Sequence, residues 1–209
     1  MAKGVCNAAV TIRCATTNAG KLREFRLIFA HYGRGRFVLE PVLGLGGIPA
    51  PEETGDTFVE NAALKACYYS SFTDDLVFAD DSGLAVDALG GAPGIFSARY
   101  AGHEATDGEN NRKVLKDMMQ EEERSARFVC SIALAQQGKL MATFTDDVEG
   151  TLLYAPKGPH GFGYDPLFYF EPFGCTFGEA EPERKLLVSH RGKALARLIR
   201  HLLPESAIQ

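Results

Sequence analysis

Two long β patterns, at residues 126–136 and 139–149, follow one another with only Gln137 and Gly138 between them. A connection of two such residues is typical of a β-hairpin, so these strands should pair antiparallel. Closer to the N-terminus, strand patterns alternate with helical spacing, beginning with a strand at 8–16, and this alternation is typical of parallel pairing. The sequence therefore predicts an α/β fold with a central mixed sheet flanked by helices and a cleft between two lobes.

The remaining elements follow from apolar spacing and from turn residues. Apolar side chains at helical intervals predict three helices, of which the last begins after Ser189 as its N-cap. The predicted ranges are a helix with apolar positions from Leu22 to Tyr32, a strand at 36–43, a loop at 44–57, a helix with apolar positions from Phe58 to Tyr69, a strand that ends at Asp80, a Gly-rich loop to residue 102, a polar helix at 106–123, a short strand at 167–170 and, after Ser189, a helix with apolar positions from Ala194 to Leu202.

The composition is that of one soluble globular domain. With 209 residues, 45% of them hydrophobic and 23% charged, the chain is long enough for a substantial core, and we expect a single domain over 1–209. The net charge of -5 argues against a nucleic-acid or membrane partner, because both attract basic surfaces. Five scattered cysteines without a C-x-x-C pair predict reduced thiols. The N-terminal residues show no apolar leader pattern, so together the two observations predict a cytoplasmic protein.

Asp80 and Asp81 end the apolar run 76–79 and lead into Ser82 and Gly83. Two adjacent carboxylates on a buried strand repel each other unless a cation binds near them or one pKa shifts. The pair therefore predicts a metal site or a perturbed acid. The alternative is an acidic turn in which the two aspartates and Ser82 cap the following segment.

The turn between the first strand and the first helix has the residues of an anion-binding site. Thr16, Asn18 and Lys21 would supply small polar side chains and an ammonium beside the free N–H groups of a helix start. This spacing differs from that of a Walker A loop. The alternative is that Thr16 and Asn18 only cap the helix, with Lys21 in solvent.

The next helix follows the acidic stretch 52–56 and carries Lys65. In one interpretation, Glu53 joins Asp81 around Mg²⁺, which accepts one or two carboxylates and takes phosphate oxygens as further ligands, while Lys65 faces phosphate. In the other interpretation, the acidic residues only stabilise the positive end of the helix dipole.

Two stretches near the C-terminus have the chemistry to bind a nucleotide base. Residues 161–166 place Phe162 between two glycines, so that the ring can stack while the backbone approaches a ligand closely, although a tight aromatic turn has the same pattern. Lys185 and the run 189–191 form a donor-rich set that suits keto or phosphate oxygens. The alternative for this set is a capped helix with solvated charges.

In this order and spacing, the stretches resemble the inosine triphosphate pyrophosphatase family, whose members hydrolyse deaminated purine nucleoside triphosphates. The resemblance extends from Thr16 to about Leu195 and rests on five stretches. They are TTNAGK at 16–21, EETGDTFVENA at 52–62, FADDSGLAVDALGGAPGIFSARYAG at 78–102, GFGYDPLF at 161–168 and SHRGKAL at 189–195.

The resemblance implies an elongated two-lobed fold, usually a homodimer, that converts ITP, dITP or XTP with Mg²⁺ into the monophosphate and pyrophosphate. It implies that Asp81 is the proton acceptor of the reaction and that Asp81 and Glu53 are metal ligands. Because one oxygen cannot bind a metal and accept a proton at once, the alternative is that Asp80 shares these two roles with Asp81. The residues that it implies in substrate binding are Thr16, Thr17, Asn18, Ala19, Gly20, Lys21 and Lys65 at the phosphates, Ser82, and Phe162, Gly163, Tyr164, Asp165, Lys185, His190 and Arg191 at the base.

Two other functions are compatible with parts of the pattern. A kinase or phosphatase acting at the γ-phosphate would normally carry a Walker A or kinase loop, and the sequence has neither. A nucleotide-binding regulator without catalysis would not need Glu53, Asp80 and Asp81 together. We therefore expect an enzyme whose partner is a small nucleotide substrate.

Overall fold

The computed structural model describes residues 9–203, and the strands in this range form one sheet. They are β1 (Val10–Cys14), β2 (Phe37–Pro41), β3 (Leu76–Val86), β4 (Ser125–Gln136), β5 (Lys139–Leu152), β6 (Phe168–Phe170) and β7 (Cys175–Thr176). The spatial order is β2-β1-β3-β4-β5-β6-β7.

Helices and short 3₁₀ turns connect and flank these strands. The α-helices are α1 (Ala19–Tyr32), α2 (Phe58–Ser70), α3 (Asp107–Asp117), α4 (Pro182–Leu186) and α5 (His190–Leu202). The 3₁₀ turns are Leu45–Gly47, Asp87–Leu89, Gly94–Arg99 and Glu171–Phe173. Across residues 9–203, no helix combines the length and the apolar character that crossing a membrane requires.

The sheet is mixed, as predicted. β1 pairs parallel with both β2 and β3, whereas β3, β4 and β5 pair antiparallel. The connection between β4 and β5 consists of Gln137 and Gly138, with φ of 48° and 78°. Positive φ at both positions is what a type I′ hairpin turn requires. The predicted hairpin is therefore confirmed.

Helices cover both faces of the sheet at β3. Phe78 packs with α1 and α5, whereas Val77 and Ala79 pack with α2 on the opposite face. A third buried cluster joins Leu84 and Val86, near the end of β3, to α3 and β6. A strand that contacts helices on both faces needs a near-continuous apolar sequence, which accounts for the run that precedes the two aspartates.

Two predicted boundaries are wrong by six residues each, and one strand and one α-helix are missed. β3 does not end at Asp80 but continues to Val86, because β4 pairs with it along this whole stretch. The predicted Gly-rich loop therefore begins six residues later. α3 ends at Asp117 and does not reach residue 123. β7 and α4 lie in a part of the chain for which the sequence predicts no element.

Some predictions fall outside the described residues or are not tested by them. Residue 8 of the predicted first strand and Cys6 lie outside this range. The single domain over 1–209 and its division into two lobes stay predictions. The cysteines within residues 9–203 carry free thiols, as expected, and they are Cys14, Cys67, Cys130 and Cys175.

Gly83 marks the closest approach between β3 and the 3₁₀ turn that carries Ser97. A Cβ at Gly83 would lie 2.2 Å from Ser97 Oγ and 2.5 Å from Gly94 O. Ser97 Oγ accepts a hydrogen bond from Leu84 N at 2.9 Å and donates one to Gly94 O at 2.6 Å. The turn can therefore bond to β3 only because residue 83 has no side chain.

Replacing Gly83 with alanine should destabilise the protein by about 2 kcal/mol, the usual cost of overpacking a filled interior. The matched control is Gly46→Ala, because a Cβ at Gly46 would meet nothing within 4 Å. Urea unfolding of both variants and the wild type measures the difference. Equal unfolding midpoints for the two variants would contradict the packing argument.

Candidate active site

A cleft of about 240 Å³ collects most of the residues predicted to bind substrate. The start of α1, the middle of β3 and the start of α5 form one side of it. The 3₁₀ turn Gly94–Arg99, the loop 161–165 and residues of α2, α3, β4 and the loop before α2 contribute the rest of its walls. The predicted residues that line it are Asn18, Lys21, Glu53, Lys65, Asp81, Ser82, Phe162, Gly163, Tyr164, Asp165, His190 and Arg191.

Two recesses adjoin this cleft. Thr16 and Thr17 line a recess of about 200 Å³, whose walls also include residues of the cleft. Gly20 and Lys185 line a recess of about 230 Å³. Phe162 lines both this second recess and the cleft, so its ring lies between the two spaces.

The turn at the start of α1 combines helix capping with an ion pair. Ala19 is the first residue of α1, and Asn18 is its N-cap. Asn18 Oδ1 accepts a hydrogen bond from Lys21 N at 3.0 Å, and Thr16 Oγ1 accepts one from Asn18 N at 3.2 Å. The capping interpretation is thus correct for Asn18, whereas Thr16 bonds to the N-cap residue and not to the helix. Lys21, however, is not solvated, because its Nζ lies 2.8 Å from Asp80 Oδ2.

Asp80 and Asp81 lie within β3 and point to opposite faces of the sheet. Asp80 faces α1 and α5, where it contacts Lys21 and accepts a hydrogen bond from Ser82 Oγ at 3.0 Å. Asp81 faces α2, and Lys65 Nζ donates to its Oδ1 at 2.7 Å. The alternative of an acidic turn is wrong, because β4 pairs with β3 past both residues.

Lys65 holds two carboxylates that come from different parts of the chain. Its Nζ donates to Glu53 Oε1 at 2.9 Å as well as to Asp81. Arg99, which the sequence analysis did not single out, reaches Glu53 Oε2 with its Nη1 at 3.3 Å. Its guanidinium is one-third exposed in the cleft, so Arg99 adds a cation to this group.

The carboxylates of this group suit a magnesium ion. Asp81 Oδ2 is buried and has no hydrogen-bond partner among residues 9–203. Glu53 shares Lys65 with it, so two carboxylates converge. In the described part of the chain, no three His, Cys, Asp or Glu side chains group together to hold a metal. Mg²⁺ needs only one or two carboxylates when phosphate oxygens and waters complete its coordination, so these residues fit it.

The two aspartates have opposite pKa shifts. Burial raises the pKa of Asp80, but the charges of Lys21, Arg191 and Lys65 outweigh burial and lower this pKa to about 2. For Asp81, burial outweighs the opposing charge of Lys65, and its pKa lies above the ordinary value. Asp80 is therefore always ionised at neutral pH, whereas Asp81 is the better proton acceptor.

Comparisons with known proteins agree on one family. The model of the Ham1 family matches residues 12–201. The chain belongs to the Ham1 family. This Ham1 protein is 45% identical over 190 residues to a dITP/XTP pyrophosphatase of an Exiguobacterium strain, which covers 91% of this chain and 95% of the relative. It is 46% identical over 186 residues to a dITP/XTP pyrophosphatase of Geobacillus kaustophilus, covering 88% and 90% of the two chains.

Solved structures support the same membership. A HAM1 protein from Coxiella burnetii is 39% identical, with a TM-score of 0.81 and coverage of 92% of this chain and 98% of that one. The Ham1 protein of Staphylococcus aureus is 37% identical, with a TM-score of 0.80 and coverage of 92% and 97%. The family resemblance and the α/β fold class predicted from the sequence are therefore confirmed.

The loop 161–165 of this Ham1 protein is held by its buried end. Asp165 Oδ2 accepts hydrogen bonds from Phe162 N at 2.9 Å and from Lys185 Nζ at 2.5 Å. Tyr164 donates its hydroxyl to Ser97 O at 2.8 Å. Tyr164 and Asp165 are buried, while Phe162 is only half-buried and faces the cleft.

The ring of Phe162 lies directly against Gly20. A Cβ at Gly20 would come within 2.7 Å of Phe162 Cδ1. Lys185 Nζ and Arg191 Cζ lie 5.4 and 5.3 Å from the centre of the same ring. Gly20 thus allows the predicted phosphate turn and the predicted aromatic shelf to touch.

Glu24 is a central residue of the site that the sequence analysis missed. Lys185 Nζ donates to its Oε1 at 2.8 Å, and Arg191 Nη1 donates to its Oε2. Arg191 also donates from Nη2 to Ser82 Oγ at 2.9 Å. One signal was present in the sequence, because Glu24 follows Lys21 by three residues and so shares its face of α1.

His190 is a buried, neutral ring. It stacks on Phe128, with ring centres 4.7 Å apart. Burial, followed by the charges of Arg191 and Lys185, lowers the pKa of His190 well below its ordinary value. Its Nδ1 has no hydrogen-bond partner within the part of the chain described. A neutral imidazole with an unused nitrogen can hydrogen-bond to the edge of a base.

Replacing Asp80 with asparagine should lower the free energy of unfolding by about 3 kcal/mol near neutral pH, because Lys21 then loses its carboxylate partner and Arg191 keeps only Glu24 among the described residues. A carboxylate with a lowered pKa stabilises the fold above its unfolded pKa, and this contribution is lost as the pH falls through the folded value. The difference between variant and wild type should therefore shrink between about pH 4 and about pH 2. Denaturant unfolding at several pH values measures this, and a difference that does not change with pH would contradict the charge assigned to Asp80.

Proposed function

We propose that this chain hydrolyses the deaminated purine nucleoside triphosphates ITP, dITP and XTP to the monophosphate and pyrophosphate. The observation that carries the proposal is the cleft, where lysine-paired carboxylates lie beside an aromatic ring and a set of buried donors. The names of the relatives, dITP/XTP pyrophosphatases, support the same substrates. An enzyme of this kind clears deaminated purines from the nucleotide pool.

The triphosphate would bind at the cationic end of the cleft. Lys21 and Lys65 are held in place by carboxylates, so their ammonium groups are already oriented before the substrate arrives. Arg99 lies at the same end. The first turn of α1 adds N–H groups and the positive end of its dipole, and Thr16 and Thr17 line the adjoining recess.

Mg²⁺ is the proposed cofactor, and Glu53 and Asp81 are the residues that would hold it. When bound, the ion neutralises negative charge on the triphosphate and on the departing pyrophosphate. The fit rests on the unpartnered Asp81 Oδ2 and on the second carboxylate that shares Lys65.

Asp81 is the proposed proton acceptor. A water molecule attacks the α-phosphorus, the bond from this phosphorus to the oxygen that bridges to the β-phosphate breaks, and pyrophosphate leaves. The Asp81 carboxylate takes the proton of the water, and it lies in the cleft with one oxygen, Oδ2, that has no hydrogen-bond partner within residues 9–203. Lys21 and Lys65 stabilise the charge that develops on the pyrophosphate. Asp80 stays ionised and keeps Lys21 in place.

The base would bind between the ring of Phe162 and the donors at the start of α5. Hypoxanthine and xanthine carry a 6-keto acceptor where adenine carries an amino donor. Arg191, Lys185 and the neutral His190 can pair with the acceptor, whereas the amino group of adenine would leave buried donors unpaired. One unpaired buried donor costs about 1–3 kcal/mol, which favours the keto purines.

A cytoplasmic location and a homodimer complete the proposal. The homodimer rests on the resemblance to the inosine triphosphate pyrophosphatase family, and the cytoplasmic location rests on the scattered cysteines, which carry free thiols in the described part of the chain. Sedimentation analysis of the purified protein tests the dimer, because a monomer mass would contradict it.

Purified protein incubated with Mg²⁺ should release pyrophosphate from ITP and XTP much faster than from ATP. Asp81→Asn should reduce this turnover by at least about a hundredfold, because a positioned base contributes about 10²–10⁴ to the rate. The matched control is Asp87→Asn, whose carboxylate pairs with Arg127 at an exposed site outside the cleft. Resolving pyrophosphate from orthophosphate decides the result. Orthophosphate from ATP as the main product would contradict the function, and binding without any product would favour a regulator.

Arg191→Lys should narrow the preference for ITP over ATP by about tenfold, because lysine keeps the charge but not the fork of donors. The control is Arg197→Lys on the same helix, where the guanidinium is exposed and pairs with Asp146. The ratio of the two kcat/KM values is the measurement. If the ratio stays unchanged in Arg191→Lys, Arg191 does not recognise the base.

A further inference from the structure

Gly163, the residue after the proposed aromatic shelf, is held on both sides by side chains of α3. Asp107 Oδ2 accepts a hydrogen bond from Gly163 N at 2.6 Å. Asn111 Nδ2 donates one to Gly163 O at 3.0 Å. Asp107 and Asn111 are four residues apart and so lie on one face of the helix. Both polar backbone groups of Gly163 therefore bind the same helix.

These bonds bear directly on the ring of Phe162. Gly163 N and the carbonyl of Phe162 belong to one planar peptide unit. The carbonyl oxygen of this unit accepts a hydrogen bond from Asp165 N at 3.2 Å, while its N–H is bound by Asp107. With both ends of the peptide bonded, its plane is fixed. The direction in which the Phe162 side chain leaves the backbone is fixed with it.

α3 is itself well anchored. Val114 of this helix is fully buried in the cluster that also contains parts of β3 and β6. Asn110 is buried too, and it accepts a hydrogen bond from Ala101 N at 2.8 Å and donates one to Ala98 O at 3.2 Å. These two bonds connect α3 to the turn that carries Arg99. α3 thus sets the position of Gly163 on one side of the cleft and of the turn that carries Arg99 on the other.

We propose that Asp107 and Asn111 are positioning residues for recognition of the base: they hold the peptide between Phe162 and Gly163 so that the ring faces the purine. This inference rests on the proposed function, in which Phe162 stacks on the base. The phosphate end of the cleft has its own supports, since Lys21 and Lys65 are held by Asp80 and Asp81. Loss of the α3 bonds should therefore weaken binding of the base and leave binding of the phosphates intact.

The test compares two inhibitors of ITP hydrolysis. Inosine monophosphate carries the base, and inorganic tripolyphosphate carries only phosphates. Asp107→Ala removes the acceptor of Gly163 N, and it should weaken inhibition by inosine monophosphate about tenfold, a usual effect of one hydrogen bond. Inhibition by tripolyphosphate should not change. Asp107→Asn retains an amide oxygen as acceptor and should keep most of the wild-type affinity for inosine monophosphate.

Asn111 allows a second comparison, because its side chain donates a hydrogen bond to Gly163 whereas that of Asp107 accepts one. Asn111→Asp replaces the donor with a carboxylate that faces the carbonyl oxygen of Gly163, so inosine monophosphate should bind more weakly than to Asn111→Ala. If Asn111 only filled space, Asn111→Asp would bind inosine monophosphate more tightly than Asn111→Ala, because aspartate has nearly the size of asparagine. Lys116→Ala, at an exposed position of α3, is the control for changes to the helix surface. Thermal unfolding of each variant verifies that it is folded.

Three results would overturn the proposal. They are unchanged inhibition by inosine monophosphate in Asp107→Ala, an equal loss for both inhibitors, and an Asp107→Asn variant as impaired as Asp107→Ala. Phe162→Ala separates this proposal from the proposed function. If Phe162→Ala binds inosine monophosphate like the wild type, stacking of Phe162 on the base is wrong and the role of α3 fails with it, whereas hydrolysis of ITP is decided separately by the release of pyrophosphate. If Phe162→Ala loses affinity for inosine monophosphate and the Asp107 and Asn111 variants do not, Phe162 stacks on the base but α3 does not position it.

Discussion

Buried charges with partners on other elements hold the cleft together. A charge in the interior costs several kcal/mol unless an opposite charge and hydrogen bonds compensate it, so a helix that carries one cannot move away from its partner freely. α1, β3, α4, α5 and the loop 161–165 are joined in this way. The pairs are Lys21 with Asp80, Lys185 with Asp165, and Glu24 with both Lys185 and Arg191. The roles proposed for the lysines and for Arg191 depend on these ion pairs, because the pairs orient the cations that the substrate would meet.

The sequence predicts the fold well where the signal is local. The hairpin between β4 and β5 needed only the pair Gln137 and Gly138, and the helical spacing of α1 and α2 lies within a few turns. The end of β3 was not predictable in this way. Its residues 80–83 are turn formers by their own preference, and only pairing with β4, far along the chain, keeps them extended. α4 and β7 are too short to show a period at all.

The same distinction applies to the site. Residues in compact motifs, such as Asn18 and Lys21, could be found because a helix start and an anion site share a recognisable spacing. Glu24 could not be assigned a partner, because Lys185 is 161 residues away and no pattern in the sequence connects them. Asp107 is similar, since its bond to Gly163 spans 56 residues. Both contacts depend on how a predicted helix packs against a distant segment, α4 in one case and the loop 161–165 in the other.

Asp80 and Asp81 are the same amino acid, and only the alternation of a β-strand gives them different partners and opposite pKa shifts. A slip of one residue between β3 and its neighbours would exchange their positions. The wrong carboxylate would then face Lys65, although every residue of the motif would still be present. The hydrogen-bond register of β3 therefore determines which of the two acids has the role proposed for Asp81, and a one-residue insertion or deletion in β3 before residue 80 would exchange the two acids while leaving every proposed site residue in the sequence.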